Sequence, residues 1–345
     1  MSALRSILLR VIRLSGGFAL ARRLTRKQLR ILCYHGFSIG DEYLIAPYVF
    51  MRSETFERRM RILRKWRLPV LSLSEAVDKL RAGAIASAET VITFDDGWAS
   101  NLTIGAPILR KYGYPACVYI TTDHLNGGTE AFNMALAQMV HESPKSALTL
   151  RNIHPLLDGE YRLEEDPAAA ASLLVTAAAR IGSVAERQRL LAPLAEALGI
   201  DYAGFMKGGR FQLLDRTQIR ALADLGVSIE MHTHTHTLPD DTFEAMAHEI
   251  LQNRDAIKEL LGIEPRHFCY PSGKYTARHF DWLARLGISS ATTCDPGFNG
   301  PGTPPLRLHR YLDNELTSDI EFEAEVVGVR ELLRRTRAAI SALRS

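Results

Sequence analysis

From Ile31 onward, short apolar runs alternate with longer stretches of helical periodicity. Ile31–Tyr34, Val91–Phe94, Ala116–Ile120, Val227–Met231, His267–Tyr270 and Ile288–Thr292 have the length and side chains of buried strands. Between them, Ser53–Trp66 repeats Phe56, Met60 and Leu63 on one helical face. Ser72-Leu73-Ser74-Glu75 opens a second helix as a capping box. Leu102–Lys111, Asp215–Leu225, Asp241–Leu261 and Thr276–Leu286 predict further helices. Glycines at 83, 113, 226, 262 and 287 stop these helices before the next strand. Repeated strand–helix units of this kind predict an α/β fold with a largely parallel sheet.

Residues 124–214 break the rhythm with an Ala-rich helical stretch, Pro167–Leu198, and no good strand. They are expected to form a helical insertion that shapes or covers a cleft. Ile320–Leu343 predicts an arginine-rich helical tail. Two parts follow: a basic amphipathic segment, 1–28, and a single domain, 29–345, with its insertion at about 124–214.

Functional residues of parallel sheets gather at the carboxyl ends of strands. His35, Asp95, Asp96, His232 and Pro271 all fall there. Asp95 and Asp96 are adjacent carboxylates ending an apolar strand, a costly arrangement unless something uses them. Downstream, Met231-His232-Thr233-His234-Thr235-His236-Thr237 offers imidazoles, and His232 and His236 share a face in either a helix or a strand. One Asp and two His suffice to hold a divalent cation with a position open for water. The other Asp is then free to take a proton from that water, which points to metal-assisted hydrolysis.

The chain of 345 residues is 46% hydrophobic and 23% charged, as a folded domain with a sizeable core requires. A formal charge of +3 is too small an excess to argue for nucleic acid. The charge is uneven: residues 1–40 hold eight Arg and Lys and no acidic residue, so the remainder is net acidic. In residues 2–14, Leu4, Ile7, Leu8 and Val11 share one face of a basic helix. Such a helix either lies on an anionic membrane surface or packs on the domain with its arginines solvated. No apolar run reaches the ~20 residues of a membrane span. Cys33, Cys117, Cys269 and Cys294 show no CxxC spacing and are expected to be buried, reduced thiols. With no clear signal peptide, this favours a cytoplasmic protein, with a peripheral position at the inner membrane face also open.

Thr93-Phe94-Asp95-Asp96-Gly97 resembles the first motif of the polysaccharide deacetylase family (the NodB homology domain, carbohydrate esterase family four). His232-Thr233-His234-Thr235-His236 resembles its second motif, Phe268-Cys269-Tyr270-Pro271-Ser272-Gly273 its third, and Ile31–His35 the opening strand of many members. The resemblance covers about residues 29–123 and 215–312 and implies a distorted, incomplete (β/α) barrel. It implies Asp96, His232 and His236 as ligands of one divalent ion, zinc or another, and Asp95 as the general base. A histidine in a Leu-x-x-His motif supplies the acid. Leu32–His35 and Leu306–His309 both fit, and His35 is favoured because it directly follows a strand.

The reaction implied is hydrolysis of N-acetyl groups on amino sugars of a polysaccharide, oligosaccharide or lipid-linked glycan. Pro271, Ser272, Tyr270 and Trp98 would contact the substrate, with the backbone N–H of Ser272 steadying the developing oxyanion. Alternatives are a deformylase or other amidase on a lipid-linked sugar, or a catalytically idle carbohydrate-binding relative. The chain departs from the family at the third motif. An arginine near the base Asp is usual there, but the matching residue is Cys269, and Arg266 is close without being aligned. His234 is expected to stand behind the ligands rather than among them.

Overall fold

The structure, a computed structural model, describes residues 3–126 and 128–342. Ser2 of the amphipathic segment, Leu343 of the predicted tail and the extreme ends of both assigned parts lie outside the described residues. Seven strands form the main sheet: β1 (Arg30–Tyr34), β2 (Thr90–Phe94), β3 (Cys117–Ile120), β4 (Ser228–Met231), β5 (His267–Cys269), β6 (Ser290–Thr292) and β7 (Tyr311–Leu312). Their order is β6-β5-β4-β3-β2-β1-β7, every pairing parallel. The first six lie where the apolar runs predicted them. The sheet curls, and its last segment joins the two edges: Leu308 bridges Thr292 beyond β6, while Tyr311 and Leu312 pair with β1. This is the expected incomplete barrel, with residues 308–312 as its seam.

Helices α1 (Ala3–Leu14) and α2 (Gly17–Leu24) precede the sheet. α3 (Ser53–Lys65), α4 (Leu73–Arg81) and α5 (Ala106–Tyr112) pack outside its first strands. On α3, Phe56, Met60 and Leu63 are wholly buried, as their spacing requires. The Ser72 hydroxyl caps α4 by accepting from the Glu75 N–H.

The insertion differs from expectation. α6 (Phe132–Glu142), α7 (Pro167–Ala178), α8 (Val184–Arg189) and α9 (Leu191–Leu198) surround their own apolar cluster, which includes Leu136, Met139, Leu174 and Leu194. The long Ala-rich helix is interrupted because Ser183 starts a new one, its hydroxyl and Glu186 forming a capping box after Gly182. A segment read as strand-free contains an antiparallel hairpin, Ala147–Leu150 with Gly159–Arg162. Its first arm alternates exposed Ala147 and Thr149 with buried Leu148 and Leu150, a pattern too short to stand out in the sequence.

α10 (Arg216–Asp224), α11 (Phe243–Leu261) and α12 (Ala277–Arg285) complete the outer layer. The predicted tail helix is two, α13 (Asp319–Val326) and α14 (Val329–Ala342), broken at Gly328 with φ +91°, where a side chain would meet Thr25. α13 is not a solvated tail: Glu321, Glu323 and Glu325 are buried and paired with Arg5, Arg13 and Arg334.

His267, at the start of β5, is held between the Ser74 and Ser290 hydroxyls at 2.9 and 2.8 Å. Burial, reinforced by the charge of Arg81, pulls its pKa from 6.5 down to about 4. The folded value lies below the unfolded one, so the unfolded chain takes up the proton first. Stability is full above pH 6.5 and declines as pH falls toward 4. We expect His267→Gln to flatten this decline. Between about pH 7 and pH 4.5 its unfolding free energy should fall by about 2 kcal/mol less than that of the wild type, measured by denaturant titration. An unchanged decline would place the acid sensitivity elsewhere.

Candidate active site

The strand ends place the polar residues together. Asp96 follows β2, and His232 and His236 follow β4. His232 Nε2 and His236 Nε2 each stand 3.4 Å from Asp96 Oδ1, and the three donor atoms lie within 4.8 Å of one another. A tetrahedral ion with bonds of ~2.0–2.1 Å sets its ligand atoms ~3.3 Å apart, so two nitrogens and one oxygen at these separations fit a divalent ion such as zinc. The His232 Nδ1 lies 2.8 Å from the Cys269 carbonyl oxygen; donating there leaves Nε2 as the free lone pair. Its backbone N–H donates to Asn253 Oδ1, and Asn253 in turn donates to Ile120 O and Thr122 Oγ1, pinning the end of β4 to β3. Asp96 (φ +71°) and His236 (φ +60°) adopt left-handed backbone conformations that disfavour side chains. Strain of ~1–2 kcal/mol per residue is held where these two side chains turn toward each other. Gly97 continues the turn at φ +78°, where a Cβ would strike Ile120.

Asp95 is separate from this trio and wholly enclosed. Its two oxygens accept from the two terminal nitrogens of Arg310 at 2.6 and 2.7 Å, a bidentate pair buried on both sides. The Cys269 and Cys33 thiols lie 3.4 and 3.5 Å from Oδ2. Burial alone would raise the Asp95 pKa, but the charge and hydrogen bonds of Arg310 hold it well below the usual carboxylate range. Arg310 was not anticipated. It lies on the seam, 215 residues from Asp95, and fills the place left by Cys269, which contacts its guanidinium at 3.1 Å. The available signal was the short segment Leu306–Leu312, in which Arg307 and Arg310 interrupt apolar residues.

His35 follows β1, and one ring nitrogen lies within 4.8 Å of an Asp95 oxygen and of Cys33 Sγ. Its carbonyl accepts from Asn101 Nδ2 at 2.7 Å, within a π-helical turn, Asn101–Gly105, that leads into α5. His309 is half-buried against Gly297, its backbone held by Asn299 on both sides. His234 is turned away from the trio, its Nδ1 2.9 Å from Thr122 Oγ1.

Trp98 is almost wholly buried; its indole N–H donates to Asp96 Oδ2 at 3.2 Å, and its ring packs edge-on against Phe50. Pro271 is buried, and Ser272 is exposed with φ +54°. Tyr270, expected to face the substrate, is instead fully buried, its hydroxyl donated to Leu306 O. It packs edge-on against Phe268 and Phe280 and at a tilt against Tyr275, supporting the cleft wall from behind. Cys33, Cys117 and Cys269 are buried free thiols; Cys294, also free, is only partly covered. A cavity of about 330 Å³ runs from Asp96, Trp98 and His236 to Asn133, Arg187 and Gln188, so the insertion supplies one side of the cleft.

The strand ends of this curled parallel sheet thus carry a carboxylate–imidazole trio and a separate, anchored carboxylate. Residues 182–291 match the family described as polysaccharide deacetylase, a span holding the second and third motifs but neither aspartate. The match spans 110 of the 345 residues, and over that span the chain is similar to this family. The fold is similar to that of Streptococcus pyogenes deacetylase PplD, solved in complex with acetate. The TM-score is 0.58 at 16% identity, over 87% of this chain and 98% of that one. IcaB from Ammonifex degensii gives a TM-score of 0.57 at 18% identity, over 87% and 97%. A polysaccharide deacetylase from Bacillus cereus gives 0.53 at 16%, over 87% and 69%. At these identities the likeness is one of fold. No curated protein matches the chain by sequence.

Removing Arg310 would leave a buried carboxylate uncompensated. We expect Arg310→Met to cost about 3–5 kcal/mol of stability. Adding Asp95→Asn to that variant should recover more than half, because the stranded charge is then gone. Chemical denaturation of the four proteins of this cycle measures both; a cost below about 1 kcal/mol for Arg310→Met would contradict a buried charge pair.

Proposed function

We propose that this protein is a metal-dependent hydrolase that removes N-acetyl groups from amino sugars of a polysaccharide, oligosaccharide or lipid-linked glycan. The observation that carries this reading is the convergence of Asp96, His232 and His236 on one point beside a second, separately anchored carboxylate. A bound divalent ion supplies a Lewis acid and a water of lowered pKa. Asp96, His232 and His236 would hold it, and the donor separations support this.

Asp95 takes the proton of the attacking water. Arg310 keeps that carboxylate ionised and fixed in place, so it is available as an acceptor at neutral pH. The Ser272 N–H steadies the developing oxyanion. His35 gives a proton to the departing amine, which cannot leave as an anion. A ring nitrogen within 4.8 Å of an Asp95 oxygen supports this role, whereas His309 is held against Gly297 by Asn299. The cavity toward Asn133, Arg187 and Gln188 accommodates the sugar that carries the acetamido group.

Elemental analysis of the purified protein should find about one divalent ion per chain, lost in Asp96→Ala and in His236→Ala. Retention of the ion by Asp96→Ala would overturn the ligand set. With N-acetylglucosamine oligomers, the metal-loaded wild type should release acetate. Asp95→Asn and His35→Ala should keep the ion and lose about 10²–10⁴-fold in kcat. Formate release from an N-formyl sugar without acetate release would assign a deformylase instead. Tight glycan binding without turnover would assign an idle relative.

A further inference from the structure

α1 has two unlike faces. One packs on α13: Leu9 is buried, Ile12 half-buried, and Arg5 and Arg13 reach Glu321 and Glu323 at 3.6 and 3.2 Å. The other carries Leu4, Ile7, Leu8, Val11 and Leu14, with exposures from 56% to 87%. These five follow the i, i+3, i+4, i+7 spacing of a single helical stripe. Helix α2, packed against α1, adds Leu20 and Leu24, both more than half exposed. A monomer gains nothing by presenting so much contiguous hydrocarbon to water.

The surrounding charge is of one sign. Arg10, Arg23, Arg26 and Lys27 are exposed on or beside the same two helices, and residues 1–40 contain no carboxylate side chain. α14, which packs on α2, adds exposed Leu333 together with Arg337, while its Arg335 pairs with Glu331. Among the described residues no helix is long and apolar enough to cross a membrane.

We propose that α1 and α2 form a docking surface for an anionic lipid bilayer, lying in the interface plane with the leucine stripe among the acyl chains and the arginines at the headgroup phosphates. Charge decides against the alternative occupant. A second copy of the chain meeting this face through two-fold symmetry would bring Arg10, Arg23, Arg26 and Lys27 against helices α1 and α2, which themselves carry no carboxylate, whereas an anionic surface neutralises them. The end of α2 lies at the start of β1, where Arg30 bonds both the Thr25 carbonyl and its hydroxyl. The cleft occupies the other end of the strands. Docking through α2 therefore leaves the cleft clear of the bilayer.

Sedimentation of the protein with sucrose-loaded vesicles tests this. Vesicles of phosphatidylcholine with about one-third phosphatidylglycerol should bind it at least tenfold more tightly than pure phosphatidylcholine, with binding weakened by salt. Leu8→Gln/Val11→Gln and, separately, Arg10→Gln/Arg23→Gln should each weaken binding about tenfold or more. Their thermal unfolding should match the wild type, because neither pair of side chains is buried. Failure of the anionic vesicles to bind the protein would overturn the proposal, as would binding indifferent to both variants. Dimers in light scattering that Leu8→Gln/Val11→Gln converts to monomers would assign the face to a second copy. None of these readouts depends on the hydrolase reading.

Discussion

The Asp95–Arg310 ion pair is the constraint around which the site is arranged. A carboxylate enclosed at the end of β2 is unfavourable by several kcal/mol unless a cation meets it with matched geometry. The cation arrives from the far end of the chain, on the segment that bridges β6 to β1. The fixing of Asp95 and the closure of the barrel are thus one event. Until the seam is in place Asp95 has no partner, and once it is in place the carboxylate has no freedom to turn. The neighbouring Asp96 faces the opposite requirement, since it must stay reachable, and its left-handed backbone turns it out of the strand direction toward the two histidines.

The insertion is joined to this centre by one side chain. Trp98 contributes its ring to the second apolar cluster and its indole N–H to Asp96. Packing in the insertion therefore sets the orientation of the Asp96 carboxylate, and the cleft wall made by Asn133, Arg187 and Gln188 is built from the same piece of structure. A segment outside the repeating strand–helix pattern has become a boundary of the site.

Much of this was written in local sequence. The strands, the carboxylate pair after β2 and the imidazoles after β4 follow from runs and spacings a few residues long, and the structure assembles them at one end of the sheet. What local sequence does not carry is partnership at a distance. Arg310 read as one more cation in an arginine-rich stretch, because nothing near it names Asp95 as its mate. Tyr270 sits within a recognisable motif, yet its side chain points into the core, where three further rings receive it. The hairpin at 147–162 relies on two alternating leucines that carry no weight until the cluster beneath them exists. The N-terminal helix was visibly amphipathic, but only packing reveals that its second face, beyond the one against α13, stays uncovered.

The Cys269–Arg310 contact has an evolutionary corollary. The guanidinium pocket beside Asp95 is small, buried and lined by thiols, with one carboxylate to satisfy one cation. An arginine at position 269 would point into the same space, and two guanidinium groups there would leave one charge uncompensated. The two positions are therefore exclusive alternatives. Moving the cation from the seam to position 269 would therefore pass through a state in which Asp95 stands alone or the pocket is overcharged.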